Sequence, residues 1–150
     1  MAGECLVTMR RGSSIAVKQG ELRDLGEFRF RLRSFLSFSE RCAETLGVTA
    51  QQYQLLQVVG VAGEGGASIS LVAARMLLRH NSAVELVDRV ARLELVVRVA
   101  DAEDLRRSIV KLTEKGEEVL VALVAEHMKY LREAGPEIVK SLGRITGERN

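Results

Sequence analysis

Two stretches of this chain gather side chains that hydrogen-bond at fixed geometry, "RHNSAVELVDR" (79–89) and "DAEDLRR" (101–107). The first holds Arg79, His80, Asn81, Ser82, Val84, Glu85 and Arg89, and the second Asp101, Glu103, Asp104, Arg106 and Arg107. No nucleophile–base–acid set, phosphate-cradling glycine loop or carboxylate pair accompanies them, so no enzyme is expected. The chemistry these residue types suit is recognition. A guanidinium fits a phosphate, a carboxamide pairs with an adenine edge and a hydroxyl bonds either. Glu85 is repelled by phosphates but accepts from cytosine N4. The competing reading for each is a capping or solvated surface residue.

Metal and thiol chemistry find little support. His80 and His127 lie far apart without partners at ligand spacing, which predicts surface or core histidines and neither a metal nor a cofactor. Cys5 and Cys42 are too few and too distant for a disulfide framework. Cys42, late in a helical pattern, is expected to be buried and inert, and Cys5 to lie in a tail.

The elements that must position these residues come from a chain of 150 residues, 47% hydrophobic but only 4% aromatic, which predicts packed helices around one core. The formal net charge of +2 excludes a bulk-electrostatic nucleic-acid binder but leaves room for local basic patches. No signal peptide is apparent and "CLVTM" is far too short for a membrane span, so a cytoplasmic protein without membrane contact is expected.

Residues 1–20 carry no periodicity and read as a mobile tail. The segment 21–47 alternates locally in "FRFRLR", yet Phe28, Leu32, Phe35, Leu36, Ala43 and Leu46 share one helical face over the longer window. Length favours a helix ending at Gly47. Thr49 with Gln52 predicts a capping box opening a second helix, and "GEGGAS" closes it as a flexible connection. Two short helices follow, about 69–77 and 81–93, the second capped by Asn81. Ala73, Leu77, Ala83 and Leu86 are spaced for a close crossing, the requirement of a helix-turn-helix. "LVVRV" and "SIVKL" then read as the strands of a hairpin around a polar connection. Thr113 caps a long helix with an apolar stripe of Leu120, Leu123, Val124, Met128 and Leu131. Gly135 punctuates it, and Pro136 suits the first turn of a separate last helix.

The fold class expected is therefore mainly α with one β-hairpin, a winged helix-turn-helix over 48–113 flanked by helices at 21–47 and 114–150. "LGVTAQQYQLL", "ELVDRVARLELVVRV" and "DAEDLRRSIVKLTEKG" resemble, in order and spacing, the multiple-antibiotic-resistance regulator (MarR) family of bacterial transcription factors. The resemblance covers Leu46 to Gly116. It implies a homodimer joined by its terminal helices, binding pseudo-palindromic double-stranded DNA. It also implies a repressor, relieved in many relatives by a small lipophilic or phenolic effector. His80, Asn81, Ser82, Val84 and Glu85 would lie in the first turns of the recognition helix, where Asn81 would read adenine, Ser82 bond a base or a phosphate, and Arg79 and Arg89 hold phosphates. Asp104 and Arg106 match the family's Asp-x-Arg pair, in which the aspartate orients an arginine toward the minor groove or a phosphate. Arg107 stands where the family usually has a small residue and would add a positive contact. Phe35, Phe38 and Tyr53 would line the effector cleft, or else serve as plain core.

Two departures bear on this reading. Glu85 occupies a position that is commonly basic or small and polar, and Glu94 replaces a glycine before the first wing strand. Over 79–94, Arg79, Arg89 and Arg92 are balanced by Glu85, Asp88 and Glu94. A second expectation therefore stands beside the first: a winged-helix dimer serving protein–protein interaction, with its DNA face neutralised.

Overall fold

The structure, a computed structural model, describes residues 18–148. The 1–20 tail lies almost wholly outside them, and Cys5 with it; Gln19 and Gly20 already belong to the first helix. In chain order the elements are α1 (Gln19–Thr45), α2 (Ala50–Ala62), a 3₁₀ turn (Gly63–Gly65), β1 (Ala67–Ser68), α3 (Ile69–Met76), α4 (His80–Arg92), β2 (Val96–Ala100), β3 (Ser108–Leu112) and α5 (Glu114–Thr146).

The "FRFRLR" stretch lies inside the 27-residue α1, which ends with Gly47 at φ +73°. Local alternation gives way there to the longer apolar face. The predicted capping box at α2 is present in both directions: Gln52 N donates to Thr49 Oγ1 at 3.1 Å and Thr49 N to Gln52 Oε1 at 2.9 Å. The core joins Leu55, Leu56 and Val59 of α2 to Val72 of α3, Leu86, Val87 and Val90 of α4, Val96 and Val110 of the hairpin and Leu123 of α5.

Several expectations are corrected. "GEGGAS" is not merely a flexible connection: Ala67 and Ser68 form a third strand, giving the antiparallel order β1-β3-β2 with Ala67 opposite Val110. Two residues are too short a signal for periodicity; buried Ala67 is held there by its partner. Leu77 does not pack in the helix crossing. It terminates α3 in the left-handed conformation, φ +53°, and is 90% exposed, whereas Ala83 and Leu86 are buried as expected. The last helix is not separate. α5 runs unbroken through Gly135 and Pro136 for 33 residues, because its packing along α1 outweighs the local cost of proline. Its buried face is also rotated from the predicted stripe: Gly116, Leu123 and His127 are inside, while Val124 and Met128 are exposed.

α1 and α5 run antiparallel, as the pairs Ser39–His127 and Arg31–Glu137 show. Among the described residues no helix is long and apolar enough to cross a membrane. Exposed apolar side chains nevertheless collect on these two helices, including Leu22, Leu25, Phe30 and Leu36 on α1 and Val139, Leu142 and Ile145 on α5. A groove of about 1030 Å³ opens between the start of α1 and the end of α5, lined by Asp24, Pro136, Val139, Leu142 and their neighbours.

Candidate nucleic-acid interface

α4 is strongly amphipathic. Ala83, Leu86, Val87 and Val90 are buried at helical spacing, so the opposite side carries His80, Asn81, Ser82, Glu85, Arg89 and Arg92 outward. Ser82, Glu85, Arg89 and Arg92 form one stripe along that face. Val84 is half-buried at its margin. Asn81 is not the helix cap. Arg79 takes that position, in extended backbone and without a side-chain cap, and its carbonyl accepts from Ala83 N at 3.0 Å. The Asn81 carboxamide is thereby left out of the capping role that the sequence suggested for it.

The hairpin stands beside this helix. β2 and β3 pair from Val96–Leu112 to Ala100–Ser108, and residues 101–107 close the loop. Asp101 N donates to Arg107 O and Arg107 N to Asp104 O, both at 2.9 Å. Asp101 Oδ1 accepts from Glu103 N and Asp104 Oδ1 from Arg106 N, both at 3.0 Å. Aspartate favours such turns because its short carboxylate reaches a backbone amide two residues on. Asp104 thus fixes Arg106 through its backbone amide, which sets the direction of the residue while leaving the exposed guanidinium extended into solvent. Arg107 is exposed as well.

Arg98 is the residue that sequence reasoning missed. It sits opposite Val110 in the register and so shares that residue's core-facing side of the sheet. From there Arg98 Nη2 reaches Asp88 Oδ1 of α4 at 3.0 Å and the Val84 carbonyl at 3.5 Å. The signal was available in the alternation: Arg98 lies two residues after buried Val96 and so shares its side of the strand, although Arg98 itself stays exposed. The pair binds the hairpin to α4, and it engages one of the three carboxylates that the sequence set against Arg79, Arg89 and Arg92.

The base of the hairpin is tied to the start of α5. Thr113 Oγ1 donates to Glu94 O at 2.6 Å, Lys115 Nζ to Leu93 O at 3.0 Å, and Thr113 N to Leu95 O at 3.1 Å. Gly116 lies so close that a Cβ would fall 1.9 Å from Leu95 O, an approach only glycine permits. Glu94 itself adopts φ +61°, so the strain expected from losing a glycine there is present.

Phe35, Phe38 and Tyr53 converge with two residues that the sequence did not group with them, His127 and Tyr130. Phe38 stacks on Tyr130 at 4.2 Å, and Tyr53 and Phe38 lie 4.6 and 5.3 Å from the His127 ring. His127 is only 6% exposed; Nδ1 donates to Leu123 O at 2.7 Å, and Nε2 pairs with Ser39 Oγ at 2.8 Å. Its position four residues after Leu123 was the available sign that it faces inward. Tyr53 belongs to the core, while Phe35 and Phe38 are half-buried. His80 is exposed on α4, and no metal-holding cluster occurs among the described residues. Cys42 is half-buried, not fully buried as expected; that burial pushes its thiol above its ordinary value and nearby Glu126 adds to the effect, which disfavours the reactive thiolate.

Comparison with known proteins bears on this geometry. The MarR family profile matches residues 46–107. The chain is 32% identical over 103 residues to a proposed transcriptional regulatory protein for the hcr operon of Thauera aromatica, an alignment covering 65% of this chain and about three-fifths (61%) of that protein. The fold is similar to that of MepR from Staphylococcus aureus in complex with DNA, with a TM-score of 0.64 and 19% identity, covering 73% of this chain and 80% of MepR. It is also similar to CouR from Rhodococcus jostii RHA1 bound to p-coumaroyl-CoA, with a TM-score of 0.60 and 23% identity, covering 89% of this chain and 85% of CouR.

Proposed function

We propose that this chain, whose residues 46–107 match the MarR family, is a transcriptional repressor of that family binding a pseudo-palindromic duplex DNA site as a homodimer. The observation that carries the reading is the outward stripe of α4 standing beside a hairpin tip of fixed backbone. The first two turns of α4, with His80, Asn81, Ser82, Val84 and Glu85, enter the major groove, where Asn81 reads adenine and Glu85 accepts from cytosine N4. Arg79 and Arg89 hold phosphates. Arg106, directed by Asp104, reaches the minor groove or its phosphates, and Arg107 adds a second cation. The apolar faces of α1 and α5 support the dimer, a second copy covering the groove at their ends. Half-site centres then lie about one helical turn apart, roughly 34–36 Å.

A small lipophilic or phenolic effector, acting through the cluster of Phe35, Phe38 and Tyr53, is part of the same proposal. What supports it is the position of those rings at the junction of the α1–α5 pair with α2, where a ligand shifts the terminal helices against the winged helix. The alternative, an interaction module with a neutralised DNA face, is disfavoured by the Arg98–Asp88 pair, which takes one carboxylate out of the balance.

Selection of bound sequences from a random duplex pool at near-physiological salt tests the proposal. Enrichment of one inverted repeat is the expected result. A folded dimer that enriches nothing is the interaction module instead.

A further inference from the structure

Leu105 occupies the tip of the hairpin and is 82% exposed. Single exposed leucines are ordinary on protein surfaces, and most need no account. This one differs in four respects. It is flanked in sequence by Asp104 on one side and by the exposed cations Arg106 and Arg107 on the other. The loop around it is closed by four hydrogen bonds at 2.9–3.0 Å, so its backbone is already ordered before any contact. Both aspartates of the loop have an oxygen turned to the loop's own amides. It also stands apart from the apolar faces of α1 and α5 that a second copy would cover.

We infer that Leu105 is a specificity-determining contact: an apolar wedge that the hairpin tip sets against base edges in the minor groove, between the phosphates that Arg106 and Arg107 engage. The inference rests on the DNA-binding reading given above. An apolar side chain on a pinned backbone gains the full benefit of leaving water with little ordering cost. Leucine is among the side chains that wedge between base steps and unstack them. Such a contact reads deformability, not a hydrogen-bond pattern. It favours a flexible pyrimidine–purine step such as TA over a stiff A-tract step at the position beneath the tip.

The experiment uses full-length protein and duplexes built on its selected inverted repeat, identical except for a TA or an AA step where footprinting places the hairpin. Wild type, Leu105→Ala and Leu105→Met are compared by equilibrium binding over a range of salt. Wild type is expected to prefer the TA duplex by roughly tenfold, the scale of one mismatched position. Leu105→Ala is expected to lose that preference while keeping the same dependence of affinity on salt, since no phosphate contact is removed. Leu105→Met, which preserves the wedge, is expected to retain the preference. The assignment of Leu105 is overturned, with the regulator reading intact, if wild type shows no step preference. The same holds if Leu105→Ala keeps the preference or weakens both duplexes equally. A wild-type protein that binds no duplex removes both readings.

Discussion

Two residues hold left-handed backbone without being glycine, Leu77 at φ +53° and Glu94 at φ +61°. Each meets the steric conflict between Cβ and the carbonyl oxygen that glycine avoids. Glu94→Gly and Leu77→Gly should therefore each raise stability by about 0.5–1 kcal/mol, the relief of strain being partly offset by glycine's freedom in the unfolded chain. Urea titration of the three proteins measures this; a loss of stability in Glu94→Gly would mean that its side chain, not its backbone, is what matters at that turn. The thiol of Cys42 offers a pH test. Its pKa is raised by burial, then by Glu126, so the folded chain holds the proton where the unfolded chain has released it. Stability linked to this group is complete below the ordinary value of 9.0 and declines as pH rises above it. In a Cys5→Ser background, labelling by a thiol reagent at pH 7 should be much slower than for an unfolded control. Equal rates would contradict the half-buried, protonated thiol.

At the scale of elements, the hairpin and α4 are not free appendages. Arg98 ties β2 to α4, and Thr113, Lys115 and Gly116 tie α5 to the turn between them. Gly116→Ala places a methyl group against the Leu95 carbonyl and should cost about 1–3 kcal/mol as α5 shifts away. DNA affinity should fall further than the population of unfolded protein explains, because the turn that moves carries α4 and the wing together. Loss of stability with unchanged affinity of the folded fraction would separate the two. The elements themselves were largely legible. The Thr49–Gln52 capping box, Gly47 as a helix stop and the β-branched runs of the hairpin are local signals that need no distant partner. Pro136 was misleading for the same reason. Locally it reads as the start of a helix, but 33 residues packed along α1 hold the helix through it. Ala67 and Ser68 form a strand only because β3 is beside them.

For the whole molecule, exposed apolar side chains collect on α1 and α5, among them Leu22, Leu25, Phe30, Val139, Leu142 and Ile145. If the proposed homodimer forms through these faces, Leu25→Glu with Leu142→Glu should shift the sedimenting species to a monomer and reduce operator affinity, since two half-sites are no longer bound by one particle. A double variant that remains dimeric would place the interface elsewhere. Inside the core, Ser39→Ala should destabilise the α1–α5 pairing by about 1–3 kcal/mol, because it leaves His127 Nε2 buried without its partner.

The sequence by itself determined what local chemistry can determine: the succession of helices, the single hairpin, the outward polar face of α4 and the charged tip at 101–107. Hydrophobic period, caps and turn residues act within a few positions of one another, so they are visible in a linear string. Only the tertiary structure decided the rest. It placed Arg98 on Asp88, His127 on Ser39 and the start of α5 against Leu95. It rotated the buried face of α5 away from Val124 and Met128, and it left Leu105 standing clear at the wing tip. These contacts join residues from 10 to 88 positions apart. What selects such pairs is the packing of whole elements, which no window of neighbouring residues contains.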